Sequence, residues 1–169
     1  MTDNLPHKNG VFISVGNGLS ASQEQLVAVI EALLRDHQRP GLTLGRNAHS
    51  DGDPLTAVRA LIMDAAGVLV VAFARLRIDA GIEYPNTPHA AQIAPRQTCT
   101  VWNQLEAAMA FQAGKPLLVL ADKRLHREGI LDPTASATPV VWFSLDVESG
   151  VPLGSLEDAI LSWLRTLPD

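Results

Sequence analysis

Short apolar runs alternate along the chain with longer segments in which apolar residues recur at helical spacing. The clearest runs are Val11–Val15, Val68–Ala74 and Pro116–Ala121. The run at 68–74 is apolar without interruption, which is typical of a central parallel strand that is covered on both faces. Shorter runs at Leu42–Leu44 and Val140–Leu145 predict a second and a last strand. The alternation therefore predicts an α/β protein with parallel strands and crossover helices.

Four segments with helical periodicity predict the helices. The first three are expected to begin after the capping residues Ser22, Asp53 and Thr100, whose side chains can accept hydrogen bonds from the first helical turn. Gly67 is expected to close the second helix, and the last helix is expected over Ser155–Leu167. Each predicted helix thus lies between two strands or after the last strand.

The number and order of these elements predict a flavodoxin-like fold. Five strands that alternate with helices form a doubly wound parallel sheet with helices on both faces, and the natural strand order is 2-1-3-4-5. A length of 169 residues fits a single domain, whose core is expected at about residues 11–167. In this order the topological switch point, where α/β sheets bind ligands, lies between the first and third strands.

The segment Arg75–Cys99 follows the third strand and has no sustained period. Loops of this length in compact domains are commonly functional. We expect this segment, the loop after Val15 and the start of the helix at Thr100 to meet the ligand. Arg75 and Arg77, at the start of the segment, either close over an anionic ligand or are simply solvated.

Composition and charge narrow the classes of partner. The formal net charge is -5 and the 13 Lys and Arg residues are scattered, which argues against nucleic acid as a partner. The single cysteine, Cys99, cannot form an internal disulfide, so a reducing cytoplasm is the expected location. The polar start of the chain shows no secretory signal, and the longest apolar run, Ala65 to Ala74, is about half of a membrane span. No membrane segment is expected.

Glu106 is the strongest candidate for chemistry. It lies in the second turn of the helix after Thr100, with Trp102 one turn earlier on the same face. A carboxylate in this place can stabilise an oxocarbenium-like centre on a ribose, attack it, or hold the sugar hydroxyls, while the indole stacks on a ring. The alternative is an exposed helical glutamate beside a tryptophan in the core. The expected buried stripe of this helix is Val101, Leu105, Ala108 and Met109.

Other polar or glycine positions are candidate substrate contacts. The loop after the first strand contains Gly16, Asn17 and Gly18, and glycine lets a backbone approach a ribose or phosphate closely. The alternative for this loop is a plain turn between strand and helix. The remaining candidates near the predicted site are Ser14, Arg46 for a phosphate, Asp51 for a ribose, and Asn103.

Neither a metal ion nor a resident cofactor is expected. His49, Asp51 and Asp53 lie close together, but Asp53 is explained as a helix cap and Asp51 as part of a turn. Cys99 and His89 lack a recognisable third group for a cysteine hydrolase. Motifs of the serine hydrolase, P-loop and zinc enzyme types are absent from the sequence.

The stretch 102–120 resembles the superfamily of Toll/interleukin-1 receptor (TIR)-like domains and nucleoside 2-deoxyribosyltransferases. The residues that carry the resemblance are Glu106, Ala107, Ala110, Gly114, Lys115 and Pro116, and a strand follows them. As topology, the resemblance extends over Val11–Leu145. Members of these families cleave N-glycosidic bonds of NAD or nucleosides. The resemblance therefore implies a catalytic Glu106, with Ser14 and Asn17 bordering the sugar site.

Together, the residues and the resemblance predict an N-glycosidase that acts on a nucleotide or nucleoside. Cleavage of the nicotinamide–ribose bond of NAD is preferred, because the long segment before the Glu106 helix can cover a dinucleotide. A nucleoside 2-deoxyribosyltransferase is one alternative, and a non-catalytic module that senses a nucleotide or assembles with itself is another. A flavin or redox carrier of the flavodoxin class is a third and weaker alternative. Self-association into a homo-oligomer is left open by the sequence.

Overall fold

A parallel five-stranded sheet forms the centre of the protein in a computed structural model, which describes residues 7–47, 53–135, 137–145 and 153–168. The strands, in chain order, are β1 (Val11–Val15), β2 (Gly41–Leu42), β3 (Gly67–Ala72), β4 (Leu76–Ile78), β5 (Ile82–Glu83), β6 (Ala91–Gln92), β7 (Arg96–Thr98), β8 (Leu117–Asp122) and β9 (Val140–Phe143). The helices are α1 (Ala21–Asp36), α2 (Pro54–Asp64), α3 (Val101–Gln112) and α4 (Leu153–Leu164).

The central sheet has the order β2-β1-β3-β8-β9, and each neighbouring pair is parallel. β8 and β9 are the predicted fourth and fifth strands. The predicted flavodoxin-like order 2-1-3-4-5 is therefore confirmed.

Helices cover both faces of this sheet. The cluster on one face joins strand residues to α1 and α4, and the cluster on the other face joins them to α2 and α3. β3 shows the alternation, because Leu69 and Val71 belong to the first cluster while Val68 and Val70 belong to the second. Every residue of β3 and β8 is buried. Strands buried on both faces are apolar at nearly every position, which is why these two runs are the most legible in the sequence.

Capping residues determine where the helices begin. Asp53 accepts hydrogen bonds from two backbone N–H groups in the first turn of α2, both at 3.1 Å, and Thr100 caps α3, as predicted. The cap of α1 is Ser20 and not the predicted Ser22. The physical reason is a reciprocal capping box, in which Ser20 and Gln23 each bond to the backbone of the other.

A lysine that follows α3 holds the end of α2. This helix ends at Asp64, and Gly67 opens β3 instead of closing the helix as predicted. The ammonium group of Lys115 donates to the carbonyl oxygens of Met63, at 2.6 Å, and Ala65, at 2.7 Å. The last carbonyl groups of a helix need such donors because they have no partner within the helix. Lys115 thus ties α2 to the turn between α3 and β8.

The segment between β3 and α3 is folded on itself, although the sequence predicted an irregular loop. β4 pairs with β7 and β5 pairs with β6, both antiparallel, so that one short ribbon is nested inside the other. We call residues 76–98 the arm. The strands of the arm are only two or three residues long, so no sequence period reveals them, and pairing between distant segments creates them instead.

The helices are short relative to the thickness of a membrane. The longest, α1, has 16 residues, whereas a membrane span needs about 20 apolar residues. Within the described ranges, no helix combines the length and the apolar character needed to cross a membrane.

Candidate functional site

A cavity of about 660 Å³ opens at the carboxyl ends of β1 and β3. Its walls come from the residues after β1, the loop after β2, the first turns of α2, Arg75 after β3, and the start of α3. In the sheet, β1 lies between β2 and β3, so the chain leaves β1 to one side and returns on the other. The cavity therefore lies at the switch point that the sequence predicted as the ligand site.

The helix α3 faces the sheet with a different side from the one predicted. Its buried residues are Asn103, Glu106, Ala107 and Ala110. Of the predicted stripe, Val101, Leu105 and Ala108 are exposed and Met109 is half-buried. The physical reason is that two alanines let the helix pack closely on β3 and β8, while its polar residues reach β1 through hydrogen bonds.

Glu106 lies in the cavity wall with only 7% of its surface exposed. Burial raises the pKa of its carboxyl group from 4.5 to about 7, because the charged form loses its hydration. A hydrogen bond from the Ser14 hydroxyl opposes this shift and favours the ionised form. The carboxyl group therefore titrates near neutral pH. A carboxyl group with such a pKa in a cleft is a candidate for chemistry.

Trp102 lies in the same wall, one turn before Glu106, and is 42% exposed. The alternative of an exposed Glu106 beside a core Trp102 is therefore wrong, because the exposures of the two residues are reversed. An indole that is open on one side of a cavity can stack on a planar ring.

A buried hydrogen-bond network joins β1 to the start of α3. Asn103 Nδ2 donates to Ser14 Oγ at 2.9 Å and to the Ser14 carbonyl oxygen at 3.2 Å. The Thr100 hydroxyl donates to Asn103 Oδ1 at 2.8 Å, and its oxygen accepts from the Asn103 backbone N–H at 3.0 Å. Since Ser14 also bonds to Glu106, four side chains hold one another in place. Ser14 and Asn103, predicted as substrate contacts, are thus in contact with one another behind the carboxyl group.

The glycine loop after β1 forms part of the cavity and also of a smaller recess of about 180 Å³ beside it. Gly16 and Asn17 line both spaces, while Gly18 lines the recess. A Cβ atom on Gly16 would lie 2.8 Å from Cγ2 of Thr100, so the close approach of this loop to α3 requires glycine. Gly18 has a φ of +74°, which favours glycine for a different reason. The structure thus brings this predicted loop to the site.

Arg46, which the sequence predicted as a substrate contact, does not line the cavity. Arg46 forms a two-point ion pair with Glu24 of α1, at 2.8 and 3.2 Å, and only its neighbour Gly45 lines the cavity. Its guanidinium group is therefore engaged by a carboxylate of the protein instead of facing a substrate phosphate. Asp51, like His49, lies outside the described residues, and the ribose contact assigned to it stays a prediction.

Arg75 lines both the cavity and the recess, a role that the sequence left open. Its neighbour Arg77 lines neither, and its guanidinium group pairs with Asp79 at 2.7 Å. Leu44 and Val58 also form cavity walls, and sequence reasoning missed both. Their apolar character indicated only a strand and a buried helix face, and nothing in the sequence placed those elements beside the glycine loop.

Other reactive groups are poorly placed for chemistry. Cys99 is half-buried, and burial raises the pKa of its thiol above the ordinary value, which disfavours the reactive thiolate. Its sulfur lies 3.5 Å from Nε2 of Gln104. Among the residues that the structure describes, no cluster of three or more His, Cys, Asp or Glu side chains could hold a metal ion.

Comparison with known proteins shows the fold and leaves the family open. No family model matches the chain, and no curated protein matches its sequence. Among solved structures, the chain is similar to the CMP N-glycosidase BcmB of Clostridium botulinum, with a TM-score of 0.52 and 10% identity over 90% of this chain and 98% of that one. FerB, a flavoenzyme NAD(P)H:(acceptor) oxidoreductase from Paracoccus denitrificans, gives a TM-score of 0.46 and 14% identity over 94% and 97%. The resemblance to TIR-like domains stays a prediction.

Proposed function

We propose that this protein is an N-glycosidase that cleaves the bond between the base and the ribose of a nucleotide or nucleoside. The observation that carries the proposal is the buried Glu106 carboxyl group, with a pKa of about 7, in the wall of the switch-point cavity. The fold shared with a CMP N-glycosidase agrees with it. The resemblance of the Glu106 region to TIR-like domains and deoxyribosyltransferases is a further support.

In the proposed reaction, Glu106 acts as a carboxylate. The C1′–N bond breaks, its electron pair leaves with the base, and positive charge develops on the ribose. The carboxylate either stabilises this charge or bonds to C1′ in a covalent intermediate. Water then bonds through its oxygen atom to C1′, and the C1′–Glu106 bond breaks where one has formed. The proton of the water neutralises the departed base, or passes to solvent where the base leaves in its neutral form. A carboxylate in a buried wall acts more strongly on such a charge than it would in water.

The neighbours of Glu106 have supporting roles in this proposal. Trp102 offers its exposed indole face to the base or the sugar ring. The Ser14 hydroxyl fixes one orientation of the carboxylate and keeps a fraction of it ionised at neutral pH. Asn103 in turn holds Ser14 through two hydrogen bonds, so Ser14 and Asn103 act as positioning residues.

The finer substrate assignments are open to test. The preference for NAD depended on a long segment that could cover a dinucleotide, but no residue of the arm, 76–98, lines the cavity or the recess. NAD therefore stands beside smaller nucleotides as a substrate to be tried. Transfer of a deoxyribosyl group differs in its acceptor, which is a second base instead of water. A sensing module would bind a nucleotide in the same cavity without turnover.

The proposal is tested by release of free base. The concentrated protein is incubated with ribonucleoside 5′-monophosphates, ribonucleosides, deoxynucleosides with and without an added base, and NAD, and the products are separated by chromatography. We expect base release by the wild type and a loss of at least roughly 100-fold in Glu106→Gln. The matched control is Glu157→Gln, at an exposed position of α4, which should release base at the wild-type rate.

The pH dependence separates two roles for Glu106. Because the ionised form acts, kcat/KM should rise about tenfold per pH unit below a pKa of about 7 and level off above it. A decline above pH 7 would instead assign a protonated Glu106 that acts as an acid. Nucleotide binding without base release at every protein concentration would favour the sensing module, and release unaffected by Glu106→Gln would refute the proposal.

A further inference from the structure

Two charged side chains of opposite sign line the cavity and the recess, which share four wall residues. Among the described residues of their walls, Glu106 is the only anion and Arg75 the only cation. Glu106 belongs to the larger space, whereas Arg75 borders both. A substrate that spans them would present a centre of developing positive charge to one residue and an anionic group to the other.

The backbone of Arg75 is held close to the start of α3, the helix that carries Glu106. Its backbone N–H donates to the carbonyl oxygen of Thr98 at 2.9 Å, two residues before the cap Thr100 of α3. The side chain is exposed, so it can reach into the mouth of the recess without loss of hydration. Arg75 therefore combines an anchored backbone with an accessible guanidinium group.

The guanidinium group of Arg75 has no partner among the described residues, which distinguishes it from several other arginines of the protein. Within the part of the chain that the structure describes, it forms no hydrogen bond and no ion pair. Three other arginines each pair with a carboxylate, namely Arg46 with Glu24, Arg77 with Asp79 and Arg96 with Glu83. An unpaired guanidinium at a cavity wall suits a phosphate, because its planar fork can bond two oxygen atoms at once.

The size of the recess limits what it can accept. Its volume is about 180 Å³, and the walls include the glycine loop with Asn17 and Gly18. Pockets that enclose a whole drug-sized ligand are roughly 300–1,000 Å³, so the recess has room for a small group but not for a second nucleoside. A single phosphate ester fits this limit.

We propose that Arg75 binds the 5′-phosphate of a nucleoside monophosphate, whose ribose and base occupy the larger cavity beside Glu106. This inference rests on the proposed function and names the substrate class of the same site. Arg75 is then a specificity-determining residue that selects monophosphates over nucleosides, and it takes no part in bond cleavage.

Binding is measured without turnover, so that the test does not depend on catalysis. In the Glu106→Gln background, calorimetry compares CMP with cytidine, AMP with adenosine, and NAD with both monophosphates. We expect each monophosphate to bind at least about tenfold more tightly than its nucleoside. Arg75→Ala should weaken monophosphate binding roughly 10- to 100-fold and leave nucleoside binding unchanged. Arg75→Lys should recover part of the loss, since it keeps the charge but not the fork.

The neighbouring arginine supplies the matched control. Arg77→Ala removes a charge two residues away, at a position that pairs with Asp79 and lines neither space, so it should change no affinity. Equal affinity for monophosphate and nucleoside, an equal effect of Arg77→Ala, or tighter binding of NAD than of either monophosphate would overturn the inference. Arg75-dependent binding without base release by the wild type would overturn only the proposed function.

Discussion

Glu106 is held where its ionisation is unfavourable. In the unfolded chain its carboxyl group titrates at about the ordinary value of 4.5, whereas in the folded protein its pKa is about 7. Between these values the folded state binds more protons than the unfolded state, so ionisation of this group lowers the free energy of unfolding as the pH rises. The same burial that raises the pKa of this carboxyl group therefore works against the stability of the fold.

Glu106→Gln should stabilise the protein at alkaline pH. A glutamine has the shape of the protonated acid and cannot ionise, so it avoids the loss that the wild type suffers between pH 4.5 and about 7. The expected gain above pH 7 is on the order of 3 kcal/mol, and it should vanish toward pH 4.5. Urea unfolding of both proteins at pH 5, 6, 7 and 8 measures it. A gain that is independent of pH, or one shared by Glu157→Gln, would contradict the assigned pKa.

Single residues of the site differed in how far the sequence could predict them. Glu106 and Trp102 were recognisable because spacing of four on a helix places both on one face. The roles of Ser14 and Asn103 as positioning residues could not be recognised, because these residues are 89 positions apart and meet only when β1 packs against α3. The Arg46–Glu24 pair was missed for the same reason, since local sequence does not show which carboxylate a long side chain will find.

At the scale of elements, the position of α3 depends on two small side chains. Ala107 and Ala110 are fully buried against β3 and β8, and the larger Val101 and Leu105 face outward. Alanine at the contact lets the helix axis lie close to the sheet, which carries Glu106 into the cavity wall. The side of α3 predicted from the sequence to be buried was wrong, because the prediction placed the bulkiest apolar residues on the buried side.

Ala110→Leu should push α3 away from the sheet. The extra methyl and methylene groups have no space in a packed interface, and overpacking of this kind destabilises by about 1–3 kcal/mol. Base release should fall in parallel, because Glu106 lies one turn away on the same face. Ala108→Leu is the control, since Ala108 is exposed on the same helix. Urea unfolding and the base-release assay measure both effects, and similar behaviour of the two variants would contradict the close packing of α3.

The strands of the central sheet were predictable from short apolar runs, and the helices that cover it were predictable from the helical spacing of their apolar residues. The five strands and their order agree with the sequence pattern. The arm was not predictable, since its strands of two or three residues depend on partners that are distant in sequence. These partners lie on the other side of the same ribbon and, for β7, at Leu125 and His126 after β8. The helices could be predicted as elements, but the side of α3 that packs on the sheet could not, because apolar character alone does not decide which side is buried.

At the scale of the whole molecule, the cavity is assembled from three separate connections of one sheet, namely those from β1 to β2, from β2 to β3 and from β3 to β8. A largely apolar surface lies between α2 and α3, where Met63 and Leu105 are exposed. Self-association through this or another surface stays a prediction. The arm, in contrast, contributes nothing to the walls of the cavity, although it begins directly after Arg75.

Shortening the arm should leave fold and activity intact. Ile78 of β4 lies opposite Arg96 of β7, so residues 79–95 can be replaced by an Asn-Gly turn that joins the two strands. The replacement removes two ion pairs, that of Arg96 with Glu83, which is partly exposed, and that of Arg77 with Asp79, which is exposed, and such pairs contribute no more than about 1 kcal/mol each. We expect the free energy of unfolding to change by no more than about 2 kcal/mol and kcat/KM for base release to stay within about twofold. A folded variant with much lower activity would show that the arm touches the substrate.

The hydrogen bond between Arg75 and Thr98 has a consequence for how such a chain can diversify. The polypeptide leaves β3 and, after the arm, returns to nearly the same point to begin α3, so the core does not constrain the length of the arm. Insertions at the tip of the arm would be tolerated as readily as deletions. A fluorescent or affinity module could therefore be grafted there, in a segment that begins directly after a wall residue of the switch-point cavity, without a change in the central sheet.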